Sequence, residues 1–295
     1  MTSKKRATSP IDSQVKREEN GTIRLVLTLP WNQIRKTYET WEKRALDEVE
    51  MPGFRKGKAP REKAQEKINK NKIYERVIGE LLPKVYGRAI KQSGLRPVMT
   101  PRIRVDKAKE GEDWQFSAIF CEAPEVELGD YKKQIKRELA GGKIWTPGKE
   151  KEEKKDLSAE EKEQQILQAL LKVVRVKVPD LLVEEEANRK LANLVDKTEK
   201  LGLSMEQYLS SIGKTGEELK ADYSLAARRA IETEVILTAI FEREKLEMKE
   251  EEIDKIIGGV RDEEIKKNLQ APRQRAILKQ ALARKAALDY LVKLV

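Results

Sequence analysis

The side chains that could carry catalysis or hold a metal are few in this chain of 295 residues. It contains no histidine and one cysteine, Cys121. A histidine-based triad and a zinc cluster are both excluded, because each needs side chains that the chain lacks. The carboxylates lie mixed with lysine in stretches that are typical of solvated helix faces. The sequence therefore predicts no catalytic residue, no metal site and no cofactor.

The residues best suited to binding lie in a short stretch, residues 53–60, which reads Gly-Phe-Arg-Lys-Gly-Lys-Ala-Pro. Two glycines and a closing proline predict a loop. Arg55 and Lys56 suit phosphate contact, and Phe54 suits an apolar pocket or a nucleic-acid base. The alternative is a connector whose Phe54 folds back onto its own core. A nucleotide-binding loop is not expected, because the glycine and lysine spacing of that motif is missing.

This eight-residue stretch resembles the ribosome-binding signature of trigger factor, a bacterial ribosome-associated chaperone. The resemblance implies that the Phe-Arg-Lys tip docks beside the peptide exit tunnel, on a ribosomal protein and the adjacent ribosomal RNA. It assigns ribosome binding to Gly53, Phe54, Arg55, Lys56, Gly57 and Lys58. It also implies unfolded nascent polypeptides as partners, and it allows a weak homodimer off the ribosome.

Charge is unevenly divided along the chain, whose formal net charge is +10. Residues 1–109 contain 27 lysines and arginines against 13 acidic residues, whereas residues 110–295 contain 34 against 38. A basic N-terminal part that includes the loop indicates an anionic partner, nucleic acid first and a membrane surface second. Phosphate contacts would make this binding sensitive to salt.

The compartment is suggested by what the sequence lacks. A single cysteine permits no internal disulfide, which favours a reducing environment. No apolar run approaches the about 18 residues of a membrane span, and the basic start of the chain has no signal-peptide core. We expect a soluble, cytoplasmic protein without membrane partners.

The elements that must position the loop form a small α+β domain. Alternating apolar residues predict strands at residues 11–18, 22–29, around Ile103 and Val105, and at 114–120. Asn20-Gly21 is expected to form a two-residue hairpin turn between the first two strands. Residues 1–10 are interpreted as a loose basic tail. The order of elements predicts helices packed on an antiparallel sheet, as in the N-terminal domain of trigger factor.

Two helices are predicted to flank the loop. The first begins after Pro30, and its apolar residues recur at three- and four-residue spacing, so Trp41 is assigned to core packing. The second is expected over residues 61–92, with Pro83 kinking or breaking it and Gly94 as its C-cap.

The middle of the chain departs from the family pattern. Trigger factors usually carry an isomerase domain of the FK506-binding type after the N-terminal domain. Residues 133–156 are too few for a domain of that kind and are rich in glycine, proline and charge. We predict three parts: a ribosome-binding domain at 1–124, a linker at 125–156 in place of the isomerase domain, and a helical chaperone domain at 157–295. No isomerase activity is therefore expected.

From residue 157 onward the pattern predicts helix throughout, in an all-α domain of long helices. Capping boxes are predicted at Ser158 with Glu161, Ser204 with Gln207, and Thr215 with Glu218. The resemblance implies a body with two projecting arms that hold unfolded chains. Scattered aliphatic side chains amid charge could hold many apolar segments weakly, although most of these residues must pack in their own core.

Two functions from different classes fit these observations. The first is an ATP-independent chaperone that docks at the ribosomal exit tunnel and shelters nascent chains. The second is a nucleic-acid-binding adaptor, whose basic domain grips RNA and whose helical domain recruits one protein partner. A weaker third is a helical chaperone that does not use the ribosome, with a vestigial loop.

Overall fold

The computed structural model describes residues 12–50, 52, 54, 60–141, 158–248 and 250–294. The chain forms two compact units, Met1–Ala123 and Pro124–Val295. Unit 1 has an antiparallel sheet with helices and unit 2 is mainly helical, so the predicted fold class is confirmed.

The sheet of unit 1 contains four antiparallel strands. They are β1 (Asp12–Arg17), β2 (Thr22–Leu29), β3 (Arg102–Lys107) and β4 (Trp114–Cys121). Their order across the sheet is β1-β2-β4-β3, with Leu25 opposite Ala118 in the central pair. All four predicted strands are present, because period-two alternation marks a sheet with one buried face.

The turn between β1 and β2 differs from the predicted two-residue hairpin. The backbone N–H of Glu18 donates to the carbonyl of Thr22 at 2.8 Å, and the N–H of Gly21 donates to the carbonyl of Glu18 at 3.1 Å. The loop therefore has three residues and ends at Gly21, whose φ of 79° lies in the left-handed region. The Asn20 side chain accepts from the N–H of Thr22 at 3.0 Å and supports this longer turn.

Three helices of unit 1 surround the loop: α1 (Trp31–Glu48), α2 (Arg61–Lys67) and α3 (Lys70–Ser93). The single helix predicted over 61–92 is wrong, because the Asn69 side chain accepts from the N–H groups of Asn71 and Lys72 and starts a new helix. Helix α3 runs through Pro83 without a break, since Leu82 and Val85 are buried beside it. Gly94 is the predicted left-handed C-cap, with a φ of 65°.

One face of the sheet and the inner sides of α1 and α3 form the core of unit 1. Its largest buried side chains are aromatic, including Trp114, Phe116 and Phe120. Tyr38 of α1 and Tyr74 of α3 meet with ring centroids 5.9 Å apart, and Tyr74 also contacts Trp114 edge-on at 5.5 Å. The aromatic contacts fix α1 and α3 to the sheet, so the helix that leads into the loop is part of a rigid scaffold.

Unit 2 is built from long helices, with two short strands. In chain order its elements are β5 (Glu125–Glu127), α4 (Tyr131–Gly141), α5 (Ala159–Val173), β6 (Arg175–Lys177), α6 (Asp180–Lys200), α7 (Met205–Ile212), α8 (Gly216–Arg243), α9 (Glu250–Gly258), α10 (Glu263–Gln270) and α11 (Pro272–Leu294). All three predicted capping boxes are present, each with both hydrogen bonds.

The structure differs from the predicted linker over its first half. Strand β5 and helix α4 are folded there, and Tyr131 and Ile135 of α4 are buried in the core of unit 2. Residues 142–156, the rest of that linker, lie outside the described residues. The expectation of helix throughout is also wrong at β6, where Val176 pairs with Val126 of β5. Short strands of this kind depend on a partner distant in sequence, which periodicity does not reveal.

The main core of unit 2 lies between α4, α5, α8 and α11. Ile166, Leu170, Ile236, Ile240 and Leu291 are among its buried residues. Within the described residues, α6, α7, α9 and α10 contribute no side chain to this cluster. Helix α6 packs on α8 and carries α7, whereas α9 and α10 pack on α11.

Candidate functional site

Phe54 is the one residue of the predicted ribosome-binding set that the structure describes. Its side chain is exposed, with a relative accessibility of 42%, so it is not folded into the core of unit 1. The other five predicted residues lie outside the described residues: Gly53, Arg55, Lys56, Gly57 and Lys58. Together with Phe54, they belong to the segment that joins α1 to α2.

The helix before this segment is held at its N-terminal end by a polar network. The Trp31 backbone N–H donates to the Asp113 carboxylate at 2.8 Å, which satisfies one free donor of the first turn of α1. The Tyr38 hydroxyl donates to Glu110 at 3.1 Å, and Lys70 contacts the same carboxylate at 3.0 Å. Burial and the nearby Glu110 raise the pKa of Tyr38, so its hydroxyl remains a neutral donor at physiological pH.

The helix after the segment is tied back to α1. Arg61, the first residue of α2, lies 3.6 Å from the carboxylate of Glu42. Ala64 of α2 is buried, with 3% of its surface exposed. Both ends of the loop are therefore fixed on helices that pack against one core. Loops held in this way can present binding residues at defined positions.

A cationic groove lies at the base of the loop and was not identified from the sequence. Its volume is about 430 Å³, and its lining includes Trp41 and Arg44 of α1 and Lys72 and Arg76 of α3. Trp41 is half-buried, and guanidinium groups from both helices approach its ring. The spacing of Trp41 and Arg44 is visible in the sequence, but the approach of Arg76 depends on how α3 packs against α1.

Among the described residues, large exposed apolar side chains occur in both units, five in unit 1 and seven in unit 2. The seven of unit 2 are all aliphatic: Leu201, Leu203, Ile212, Leu225, Ile256, Ile265 and Ile277. Leu201 is the most exposed of them, at 76%, and lies between α6 and α7. Such positions are ordinary when isolated, but clustered ones provide weak contacts for apolar segments of a partner. Sequence periodicity did not single them out, because exposed and core aliphatic residues share the same spacing.

The C-terminal end of α8 carries a polar cluster that joins three helices of unit 2. The Glu244 carboxylate accepts from the Tyr131 hydroxyl at 2.8 Å, from Lys132 at 2.6 Å and from the Tyr290 hydroxyl at 2.9 Å. The hydrogen bond from Lys132 is the main cause that lowers the pKa of Glu244. The geometry is that of a structural junction, since one carboxylate accepts from donors on two other helices.

The part of the chain that the structure describes contains no group of three or more histidine, cysteine or acidic side chains arranged to hold a metal ion. Cys121 is buried, and burial raises the pKa of its thiol to about 11. Among the described residues, no helix has the length and apolar character needed to cross a bilayer.

Two family models match the chain. The model for bacterial trigger factor protein matches residues 11–141, and the model for the trigger factor C-terminus matches residues 148–293. Among curated relatives, the trigger factor of Staphylococcus carnosus is 36% identical over 117 residues, which are 40% of this chain and 26% of that protein. The Staphylococcus epidermidis protein is 35% identical over the same length, 40% of this chain and 27% of its own. The match thus spans about a quarter of the length of these relatives.

A solved structure is similar to almost the whole chain. It comes from work on promiscuous substrate recognition in the folding and assembly activities of the trigger factor chaperone. The match has a TM-score of 0.64 and covers 95% of this chain and 99% of that chain. The sequence identity is 14%, so this likeness concerns the fold alone.

Proposed function

The chain belongs to the bacterial trigger factor family, and from this we propose that it is an ATP-independent chaperone that docks at the ribosomal exit tunnel and shelters nascent chains. The observation that carries the proposal is the pair of family matches, which together run from residue 11 to residue 293. Six residues separate the two matches, so an isomerase domain does not fit between them. The proposed activity is therefore the binding of unfolded chains.

The loop supports the ribosome as the docking partner. The sequence places Arg55 and Lys56 next to Phe54, an apolar side chain that is exposed in unit 1. An exposed aromatic residue beside two cations suits a surface made of protein and RNA, because the ring can enter an apolar pocket while the cations contact phosphate. We assign the contact to a ribosomal protein at the tunnel exit and the adjacent ribosomal RNA.

The exposed aliphatic side chains of unit 2 support nascent chains as the second partner. Weak contacts by several such residues together, among them Leu201, Ile256 and Ile265, would hold apolar segments without selecting one sequence. The related solved structure is described in terms of promiscuous substrate recognition, which agrees with this mode of binding. Release would need no nucleotide, since weak contacts dissociate as the client buries its own apolar surface.

Ribosome docking can be tested by co-sedimentation. The wild-type chain should pellet with ribosomes at low and moderate salt, and the Phe54→Ala/Arg55→Ala/Lys56→Ala variant should remain in the supernatant. Replacing three exposed lysines elsewhere in unit 1, Lys16, Lys36 and Lys91, by glutamine is the control for a general loss of charge. If the loop variant pellets as well as the wild type, the loop is not the anchor.

The sheltering activity needs a separate assay. The full chain should suppress the aggregation of several unrelated unfolded proteins at ratios near one to one, without ATP. Activity on none of them would remove the chaperone proposal. Equal affinity for free structured RNA and for intact ribosomes would instead favour the alternative, a nucleic-acid-binding adaptor.

A further inference from the structure

The groove at the base of the loop, here called the tryptophan groove, is lined by Trp41, Arg44, Lys67, Lys72 and Arg76. Its remaining lining includes one carboxylate, that of Glu48. Four cations against one anion give this concave surface a strongly positive potential, and such a surface attracts polyanions.

Ion pairing distinguishes the four cations of the groove from their neighbours. Among the residues that the structure describes, no carboxylate forms an ion pair with Arg44, Lys67, Lys72 or Arg76. By contrast, other cations near α1 and α3 are paired, such as Lys70 with Glu110 at 3.0 Å and Arg61 with Glu42 at 3.6 Å. Unpaired cations held close together repel one another, so an anionic ligand would relieve that repulsion.

The arginines are positioned by an aromatic ring. The guanidinium carbon of Arg44 lies 4.7 Å from the centroid of Trp41, and that of Arg76 lies 5.7 Å away. Both are within the about 6 Å range of a cation–π contact. The contact orders the two side chains without using their N–H donors, which remain available for an oxygen ligand. The indole N–H donates to Glu80 at 3.0 Å and holds the ring in place.

The tryptophan groove adjoins the start of the loop and the junction between α2 and α3. Glu48 and Val49 line it immediately before the loop, and Lys67 and Ile68 line it at the end of α2. A partner that contacts the tip of the loop would therefore bring its own surface near the groove. The groove and the loop are both positively charged, so one polyanion could bind to both.

We propose that the tryptophan groove is a second RNA contact, which binds the phosphodiester backbone of ribosomal RNA beside the loop. The planar guanidinium fork matches phosphate oxygens in pairs, and Lys67 and Lys72 add point charges around them. Trp41 is half-buried between cations, which suits it to order the arginines and not to insert into a lipid bilayer. This inference rests on the proposed function, because it names RNA as the ligand of a surface next to the docking loop.

The test uses the full chain with Arg44→Gln/Lys72→Gln/Arg76→Gln, which keeps Trp41 and removes three charges. The control variant, Lys16→Gln/Lys36→Gln/Lys91→Gln, removes three exposed charges from unit 1 outside the groove. Lys72→Gln alone is a milder groove variant, since its exposed side chain makes no ion pair in the described chain. Ribosome affinity is measured by co-sedimentation across a series of KCl concentrations.

We expect the triple groove variant to bind ribosomes about tenfold more weakly at moderate salt than the control variant. The slope of log affinity against log salt should become shallower by about 1 for each lost phosphate contact. Lys72→Gln should reduce the slope by about 1 and weaken binding two- to threefold. Groove variants that match the control in both affinity and slope would overturn the inference.

Failure of the inference can be separated from failure of the proposed function. If the wild type does not pellet with ribosomes, the docking proposal fails. The groove is then tested by measuring the binding of a fluorescent RNA hairpin. Equal binding of that hairpin by the groove and control variants would overturn the inference. A groove variant that loses binding to phosphatidylglycerol vesicles, but binds RNA like the control, would show that the groove serves lipid and would also overturn it.

Discussion

At the scale of single residues, Phe54 is the side chain whose exposure most calls for a partner. Burying a phenylalanine ring contributes about 1.5–3 kcal/mol relative to leaving it in water, and here the residue has a relative accessibility of 42%. We predict that Phe54→Ala weakens ribosome binding about tenfold. The slope of affinity against salt should stay unchanged, because an apolar contact releases no counterions. A shallower slope in the co-sedimentation series would contradict an apolar role for Phe54.

Glu244 is the residue on which the packing of three helices of unit 2 depends. Glu244→Ala removes the acceptor of Tyr131, Lys132 and Tyr290, and it leaves the hydroxyl of the buried Tyr131 without its partner. We expect the free energy of unfolding to fall by about 1–3 kcal/mol. Urea unfolding would measure this, with Glu242→Ala as the control on the same helix, since Glu242 is exposed. Equal stabilities of the two variants would mean that the cluster contributes nothing.

The same carboxylate predicts a pH dependence. Because Lys132, followed by the two tyrosine hydroxyls, lowers the pKa of Glu244 in the folded state, ionised Glu244 stabilises the fold above its unfolded pKa of about 4.3. That stabilisation is lost as the pH falls through the lower, folded-state pKa. The stability gap between wild type and Glu244→Gln should be largest at pH 7 and shrink below about pH 4. A gap that persists unchanged at pH 3 would refute this assignment.

At the scale of elements, the break between α2 and α3 places residues from both helices along the tryptophan groove. Asn69 caps α3, and the groove residues Lys67 and Lys72 lie on either side of it. We predict that Asn69→Ala lowers the stability of unit 1 by about 1 kcal/mol, the usual cost of a lost N-cap. Thermal unfolding would measure it against Asn71→Ala, an exposed position inside the helix. If the two variants have the same melting temperature, the Asn69 cap does not stabilise the break between α2 and α3.

Elements also explain why one helix tolerates a proline. Pro83 removes one backbone donor from α3, which alone favours a break. Leu82 and Val85 are buried on either side of it, and their apolar burial offsets that loss. Tertiary packing of this kind overrides local propensity, because a buried stripe contributes more than a single hydrogen bond.

At the scale of the whole molecule, the uneven charge predicts that the two proposed activities respond differently to salt. Basic residues dominate residues 1–109, whereas acidic residues are slightly in excess over residues 110–295. Ribosome co-sedimentation should weaken steeply between about 50 and 200 mM KCl, because phosphate contacts are exchanged for salt ions. Suppression of aggregation should hardly change over that range, since apolar contacts are not screened. Parallel loss of both activities would indicate one shared electrostatic surface.

Features governed by local interactions could be predicted from the sequence. The capping boxes at Ser158, Ser204 and Thr215 involve residues three positions apart, so the sequence contains both partners of each bond. The strands of unit 1 follow from alternation along one segment, and the loop motif is continuous. The family resemblance could be recognised for the same reason, since all residues of the motif are adjacent in the sequence.

Features that join distant segments depend on how the helices and strands pack in the folded chain. Arg76 meets Trp41 because α3 lies on α1, and Tyr131 meets Glu244 across 113 positions of sequence. Strand β5 exists because β6 supplies its hydrogen bonds, so residues 125–141 could not be distinguished from a linker by composition. In each case the stabilising partner comes from another element. A single segment carries no information about that partner, and only the folded chain brings the two together.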